Sequence, residues 1–368
     1  MDVLYPICCG LDVHKASITA CLRRVGQRGR VTQETRTVGT TTAELLGLCD
    51  WLVAAGCTHV AMESTGVFWQ PVCNLFEGHF HPVLVVNAQH VKAVPGRKTD
   101  TLDAEWLAQL LQHGLLRPSF VPPAPIRELR EATRYRKQLI RARGDEANRI
   151  PKLLEAANLK LASVVTDILG VSGRAMLAAV VRGETDAAGL ARLAKGRLRP
   201  KHAQLVAALT GRSTPVQRTL WGHQLTHVEF LDQAIAALDA VILALMTPYQ
   251  PEADRLRTIT GIEQRTAEPR IAELGVDMAQ FPSDRHCAAW AGLCPGNHES
   301  AGKRKSGKTR KGSQWLRAAS HTKSYLGAQY QDRPPAREET RDRRGVPQPP
   351  RDRLPPLQGR HHLPRPRP

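Results

Sequence analysis

What the chain lacks narrows what it can be. No uninterrupted apolar run approaches the length of a bilayer span, so no membrane role is expected. The opening, MDVLYPICCGLDVHK, has neither a basic n-region nor a long apolar h-region; no secretory signal is read, and the cytoplasm is the expected compartment. None of the eight cysteines forms a CxxC pair or a Cys/His zinc pattern, and most sit in apolar runs, as reduced and buried thiols do. Acid is scarce: 34 Asp and Glu stand against 52 Lys and Arg, a formal charge of +18 over 368 residues. Such an excess favours polyanions, nucleic acid first and an anionic membrane surface second.

The patterns that are present divide the chain. Residues 1–116 alternate strand-like and helix-like stretches: a buried strand at 5–13, half-exposed strands at 16–24 and 30–38, and a threonine-capped helix at 40–56. A strand at 59–64, a short helix at 67–76, a buried strand at 81–87 and a helix at 99–114 closed by Gly114 complete an α/β layer with a mixed sheet. Residues 117–126, RPSFVPPAPI, read as a proline-rich linker. Residues 127–250 are helical and charged, starting with a long basic helix that is expected to be interrupted around Gly144 and Pro151. Val228, Leu231, Ile235, Leu238, Ile242 and Leu245 then recur at spacings of three and four, which fits either a coiled-coil seam or an amphipathic helix packed within its own chain.

Residues 251–330 form a third, mostly helical unit. Leu256, Ile259, Gly261, Ile262, Thr266 and Ala267 resemble a helix-hairpin-helix, with Glu263 where a second glycine is expected and Pro269 inside the second helix, departures that weaken phosphate binding or helix continuity. Residues 331–368 hold ten prolines and ten arginines and no isoleucine, phenylalanine or tryptophan, so they cannot build a core. The abrupt change after Tyr330 reads as translation in a shifted frame rather than as a basic arm. The rest of the chain still carries +13.

Four acids each end or open an apolar element instead of lying on a polar face: Asp12, Glu63, Asp100 and Asp103. In an α/β layer, strand ends and the start of a helix packed on them can converge on one edge. Converging carboxylates repel unless a cation joins them, and hard oxygen donors suit Mg²⁺ or Mn²⁺. The plainer alternatives are that Asp100 and Asp103 favour a helix N-terminus through its dipole and that Glu63 is an ordinary strand-end charge. Arg97 and Lys98, just upstream, are candidate phosphate contacts. A second basic stretch, residues 291–317, has no acid after Glu299 and carries Lys303, Arg304, Lys305, Lys308, Arg310 and Lys311 among flexible glycines, as a loop following a phosphate strand would.

GLDVHK (10–15), AMESTGVFW (61–69) and GRKTDTLDA (96–104) resemble the three acidic motifs of the DEDD-type insertion-sequence transposases related to the Piv invertase. The resemblance implies a RuvC/RNase H-like domain whose Asp12, Glu63, Asp100 and Asp103 bind divalent metal, a helical coiled-coil arm and a small C-terminal domain. Residues 291–317 are similar to that C-terminal domain, in which a serine before a glycine and a lysine becomes joined to DNA; by spacing that serine is Ser300. The family commonly has a second serine just before it, where this chain has Glu299. The resemblance further implies DNA as substrate, a guide (bridge) RNA, and a homodimer or tetramer. Two other readings fit the same residues: a metal-dependent nuclease or resolvase in which water attacks, and a nucleic-acid-binding remnant without activity.

Overall fold

The computed structural model describes residues 2–26, 29–80, 83–88, 91, 103–294, 298–300, 303–306 and 312–320, with only the backbone at 298–300, 303–306 and 318–320. β1 (Ile7–Val13), β2 (Ser17–Val25), β3 (Val31–Gly39), β4 (His59–Glu63) and β5 (Val83–Val86) form one sheet in the order β3-β2-β1-β4-β5. The first three strands pair antiparallel, whereas β1, β4 and β5 run parallel, a mixed sheet consistent with the RuvC/RNase H-like arrangement. β1 is central and buried on both faces, which is why its sequence ICCGLDV is nearly continuous in apolar residues.

One face of the sheet is covered by α1 (Thr42–Ala54) and α2 (Trp69–Phe76), which pack on Cys9, Leu11, Val60 and Met62. Thr41 opens α1 with a capping box that uses Glu44. The opposite face is covered by α3 (Asp103–Gln112), whose Trp106, Leu107, Leu110 and Leu111 pack with Cys8 and Ala61. Gly114, at φ +66°, closes this helix as expected.

The linker is not a free tether. Pro118 bridges Val86 at the end of β5, Ser119 N–H donates to Val85 O at 2.7 Å, and Arg127 pairs with Glu77. α4 (Ala124–Ala156) then runs as a single helix of 33 residues. The expected break at Gly144 and Pro151 does not occur. A proline inside a helix costs about 3 kcal/mol, but Ile150 and Leu154 on either side of Pro151 are buried in a core that anchors the last turns.

That core belongs to a helical head at the far end of α4. It comprises α5 (Leu161–Val164), α6 (Val171–Val181), α7 (Ala187–Arg192), a 3₁₀ turn (Gly196–Lys201) and α8 (His202–Leu209). α9 (Pro215–Met246) returns along α4, capped by Thr214 and Gln217. Of the heptad-like positions, Val228, Leu231 and Ile242 are buried, within the same chain.

The two arms are also riveted by the ion pairs Arg136 to Asp239 at 2.5 Å and Arg143 to Asp232, and by a polar contact of His227 with Glu146 at 3.2 Å. By length and composition alone α9 is apolar enough to cross a bilayer, yet Asp232 and Asp239 on it are paired with arginines of α4.

Asp232 makes the arm pH-sensitive. Burial pushes its carboxyl up, but Arg143 and Arg174 together hold it below the ordinary carboxylate value of 3.8. A depressed folded pKa means the contribution is complete above that value and is lost as pH falls through the lower folded one. Asp232→Asn is therefore expected to flatten the acid limb of thermal stability followed by helical circular dichroism; an unchanged acid limb would contradict this.

The C-terminal unit begins with α10 (Gln250–Arg257) and α11 (Gln264–Leu274), joined through Gly261 at φ +86°. Two helices meet at this glycine turn, and α11 runs through Pro269 without a break. Ala253, Ile262, Ala267, Ile271 and Ala272 pack on Ile126, Leu129, Ile242 and Met246, so the hairpin fastens this unit to the root of the arms. Glu263 heads α11, its N–H donating to Thr266 Oγ1 at 2.8 Å. It lines the hollow at the turn beside the Asp254–Arg257 ion pair, adding a negative charge where a phosphate would dock.

Candidate functional site

Strand parity decides which way the acids face. Cys8 and Ala61 belong to the core on the α3 side, whereas Cys9, Leu11, Val60 and Met62 belong to the other. Successive strand residues alternate between faces, so Asp12 lies on the α3 face with Cys8 and Gly10, and Glu63 lies there with Ala61. Parallel pairing runs Gly10 to Ala61 and Leu11 to Met62; Asp12 and Glu63 are the next pair along. They therefore sit side by side at the carboxyl edge of two neighbouring strands.

α3 brings in the third acid. It runs antiparallel to β1: Leu4 and Tyr5 N–H groups donate to Gln112 O at its C-terminus, and the Cys8 thiol donates to Ala108 O. Its first residue, Asp103, therefore points back to the edge that carries Asp12. The approach is set by Gly10. A Cβ built there would come within 2.3 Å of Ala104 O and 2.4 Å of Ala108 N. Only a glycine lets the helix backbone lie on this strand, and Ala104 and Ala108, both fully buried, keep the facing surface of α3 small. Gly10 is a positioning residue that sequence reasoning missed. Its one signal was a glycine in the middle of a buried strand, which marks a close backbone approach.

Asp12 is also engaged by a residue not foreseen. His14 Nε2 lies 3.1 Å from Asp12 Oδ2, and the side chain of Asp12 is 29% exposed. His14 is held in the β1–β2 turn by its N–H to Ser17 O at 3.0 Å. Burial pushes the Cys8 and Cys57 thiols up to about 12. Asp100, Arg97 and Lys98 lie outside the described residues. Among the described residues no three His, Cys, Asp or Glu side chains stand close enough to hold an ion as they are. What fits a divalent cation is the donor set: Asp12, Glu63 and Asp103 are three hard-oxygen donors on one face of one edge.

The basic loop is built differently. β6 (His298–Ser300) and β7 (Lys303–Ser306) form a two-stranded hairpin in which Ser300 pairs with Lys303 and Glu299 with Arg304. Ser300, Lys303, Arg304 and Lys305 thus share this ribbon, while Lys308, Arg310 and Lys311 lie outside the described residues. The two ends of the loop touch. A Cβ on Gly292 would meet Gly312 N at 2.6 Å, and Gly292 stands at φ +72°; Arg317 Nη2 donates to Gly292 O at 2.5 Å.

Ser313 locks the exit. Its Oγ donates to Glu273 Oε2 at 3.0 Å and accepts from Leu316 N–H at 3.2 Å, so it caps α13 (Gln314–Ser320). Glu273, 1% exposed, is in turn gripped by Arg134 at 2.7 and 2.8 Å. Desolvation lowers Arg130, beside it, to about 10.

The entry side of the loop is tied to the linker. Trp290, the last residue of α12 (Asp284–Trp290), meets Phe120 edge-on at 6.1 Å, and Phe281 completes the trio. Phe120 lies two residues beyond Pro118, which bridges β5 opposite Glu63. The base of the basic hairpin is thereby anchored through the linker to the sheet edge that carries the acids.

Comparison with known families agrees with both halves. Residues 9–158 match a DEDD transposase model of the IS110 type, described as a transposase, and residues 253–337 match one described as the transposase IS116/IS110/IS902 family. No curated protein matches the chain.

Proposed function

Since the chain belongs to the DEDD transposases of the IS110 family, we propose that it is a DNA recombinase of an insertion sequence that works through a covalent serine intermediate at Ser300. The observation that carries this reading is the anchoring of the basic hairpin's base, through Trp290 and Phe120, to the linker that passes the acid edge.

Asp12, Glu63 and Asp103, joined by Asp100, would hold Mg²⁺ or Mn²⁺, which would offset charge on the phosphodiester. Lys303, Arg304 and Lys305 on the ribbon, with Lys308, Arg310, Lys311, Arg97 and Lys98 nearby in sequence, neutralise the flanking phosphates. Ser300 Oγ forms a bond to phosphorus while the bond from phosphorus to a deoxyribose oxygen breaks. The serine proton leaves as the departing oxygen becomes a hydroxyl; a hydroxyl on a second strand end then bonds to the phosphorus, the bond from phosphorus to Ser300 Oγ breaks, and the serine regains its proton. A serine hydroxyl is a weak nucleophile at neutral pH, so the two halves of the site must act together.

The partners follow from the same reading. DNA is the substrate, a bridge RNA is the guide, and further copies of the chain assemble around them. Phe230 and Val241, 62% and 48% exposed on α9, are apolar surface available to such a copy.

The test is to incubate protein, guide RNA and labelled element DNA with Mg²⁺, denature, and digest. The expected product is a nucleotide fragment on the peptide that contains Ser300. Cleavage with no denaturation-resistant adduct, or an adduct on another residue, would sink the serine assignment.

A further inference from the structure

The helical head, residues 159–213, lies beyond both family matches. It also carries an unusual charge pattern. Between Asp186 and Glu229 there is no acid in 42 consecutive residues, where 34 acids in 368 residues would place about four. Seven cations fall in that interval: Arg192, Lys195, Arg197, Arg199, Lys201, Arg212 and Arg218.

The arms present the opposite situation. On α4, Arg127, Arg130, Arg134, Arg136, Arg143 and Arg149 are all committed to acids. Most arginines of the long basic helix are thus structural, although Lys137, Arg141 and Lys152 stay exposed along it, and a denser group of open cations lies at its tip.

Four of them share one rigid turn. Lys195, Arg197, Arg199 and Lys201 are exposed on or beside the 3₁₀ segment Gly196–Lys201, and none pairs with an acid among the described residues. The turn is fixed from beneath. Lys195 N–H donates to the buried Ser172 Oγ at 2.9 Å, Leu198 packs on the head core, and Lys201 Nζ reaches Val164 O at 3.4 Å. Six residues of 3₁₀ helix rise about 12 Å, the span of three to four phosphates on one strand.

We infer that this turn is a second nucleic-acid contact, which grips the phosphate backbone of a double-stranded segment well away from the catalytic edge. A helix of 33 residues rises about 50 Å, roughly fifteen base pairs of duplex, so a duplex leaving the acid edge along the arm reaches the head. The acids of that edge do not sense this charge across several Debye lengths of about 10 Å each. Leu198 is turned onto the head core, so beside its cations the exposed part of the turn offers only Gly196 and Pro200, which suits a backbone contact and not a protein interface.

The inference rests on the nucleic-acid reading of the chain and not on its chemistry, so binding is measured in EDTA, where no strand is cut. Full-length protein and the K195A/R197A/R199A/K201A variant are titrated across salt with a duplex DNA of about forty base pairs and, separately, with a structured RNA hairpin. With about 0.9 released counterion per phosphate contact, the slope of log K against log salt is expected to shrink by about three units, and affinity near 0.1 M salt to fall at least tenfold. The arm that shows the loss identifies the natural duplex.

R197A/R199A, which leaves the Lys201 contact with Val164 O in place, is expected to lose about half as much slope, and the exchange K195R/R197K/R199K/K201R to lose none. An unchanged slope with both nucleic acids overturns the inference, as does a loss seen only with polyglutamate, which would make the turn a site for acidic protein. Loss of the covalent adduct at Ser300 would leave this result untouched.

Discussion

Asp12→Asn is expected to lower DNA strand cleavage by on the order of a thousandfold, about 4 kcal/mol of transition-state stabilisation. The change keeps the shape of the side chain and its place beside Glu63, but halves the donor capacity of the acid at the centre of the edge. Asp12 lies near the end of the central strand, which is buried on both faces, so its backbone cannot drift to let another residue substitute. Binding of DNA in EDTA is expected to change less than twofold, because the cations lie on other elements. Equal cleavage by wild type and variant, or a parallel loss of binding and cleavage, would show that Asp12 is an ordinary strand-end charge. Calcium, which fits the same oxygens but supports the chemistry poorly, should protect Asp12 in the wild type from carboxyl-modifying reagents.

Gly10→Ala should be nearly as damaging without touching any charge. The added Cβ would lie 2.3 Å from Ala104 O and 2.4 Å from Ala108 N. Both are backbone atoms, so no smaller side chain on α3 makes room, and either the helix lifts or the strand bends. Overpacking of this kind costs about 1–3 kcal/mol and sometimes more. The larger effect is geometric: a helix displaced by about 1 Å moves Asp103 off the edge, and misplacements of that size cost about a hundredfold in rate. The expected result is a lower midpoint of thermal unfolding together with at least a hundredfold loss of cleavage. A stable variant with full activity would show that Asp103 is not held by this contact.

Much of the sheet was legible because its strands are short apolar runs between turn residues, and the observed strands fall within a residue or two of the expected ones. The threonine cap at Thr41 and the glycine stop at Gly114 were legible for the same reason: each is a local hydrogen-bonding requirement written into one or two residues. Two things were not. The unbroken course of α4 through Pro151 depends on burial of Ile150 and Leu154 against helices far along the chain, which a local rule against proline does not see. The expectation for α11 at Pro269 missed for the same reason, since Ala267, Ile271 and Ala272 are buried against the arms.

The candidate site was legible only as a set of residue types. That Asp12 and Glu63 face the same way follows from strand parity and register, and the register of β1 on β4 is a pairing between segments some fifty residues apart. The role of Gly10 needed the helix that lies on it. Ser313 was the instructive contrast to Ser300: by residue type both are loop serines, but Ser313 is spent on Glu273 and on capping α13.

The contact between Gly292 and Gly312 gives the basic ribbon the character of a cassette. The chain leaves and re-enters the scaffold at one point, so everything between could be lengthened, shortened or exchanged while Trp290, Ser313 and Arg317 keep the socket closed. Variation in which DNA a relative engages can then accumulate inside the cassette, while the socket, the arms and the acid edge stay as they are.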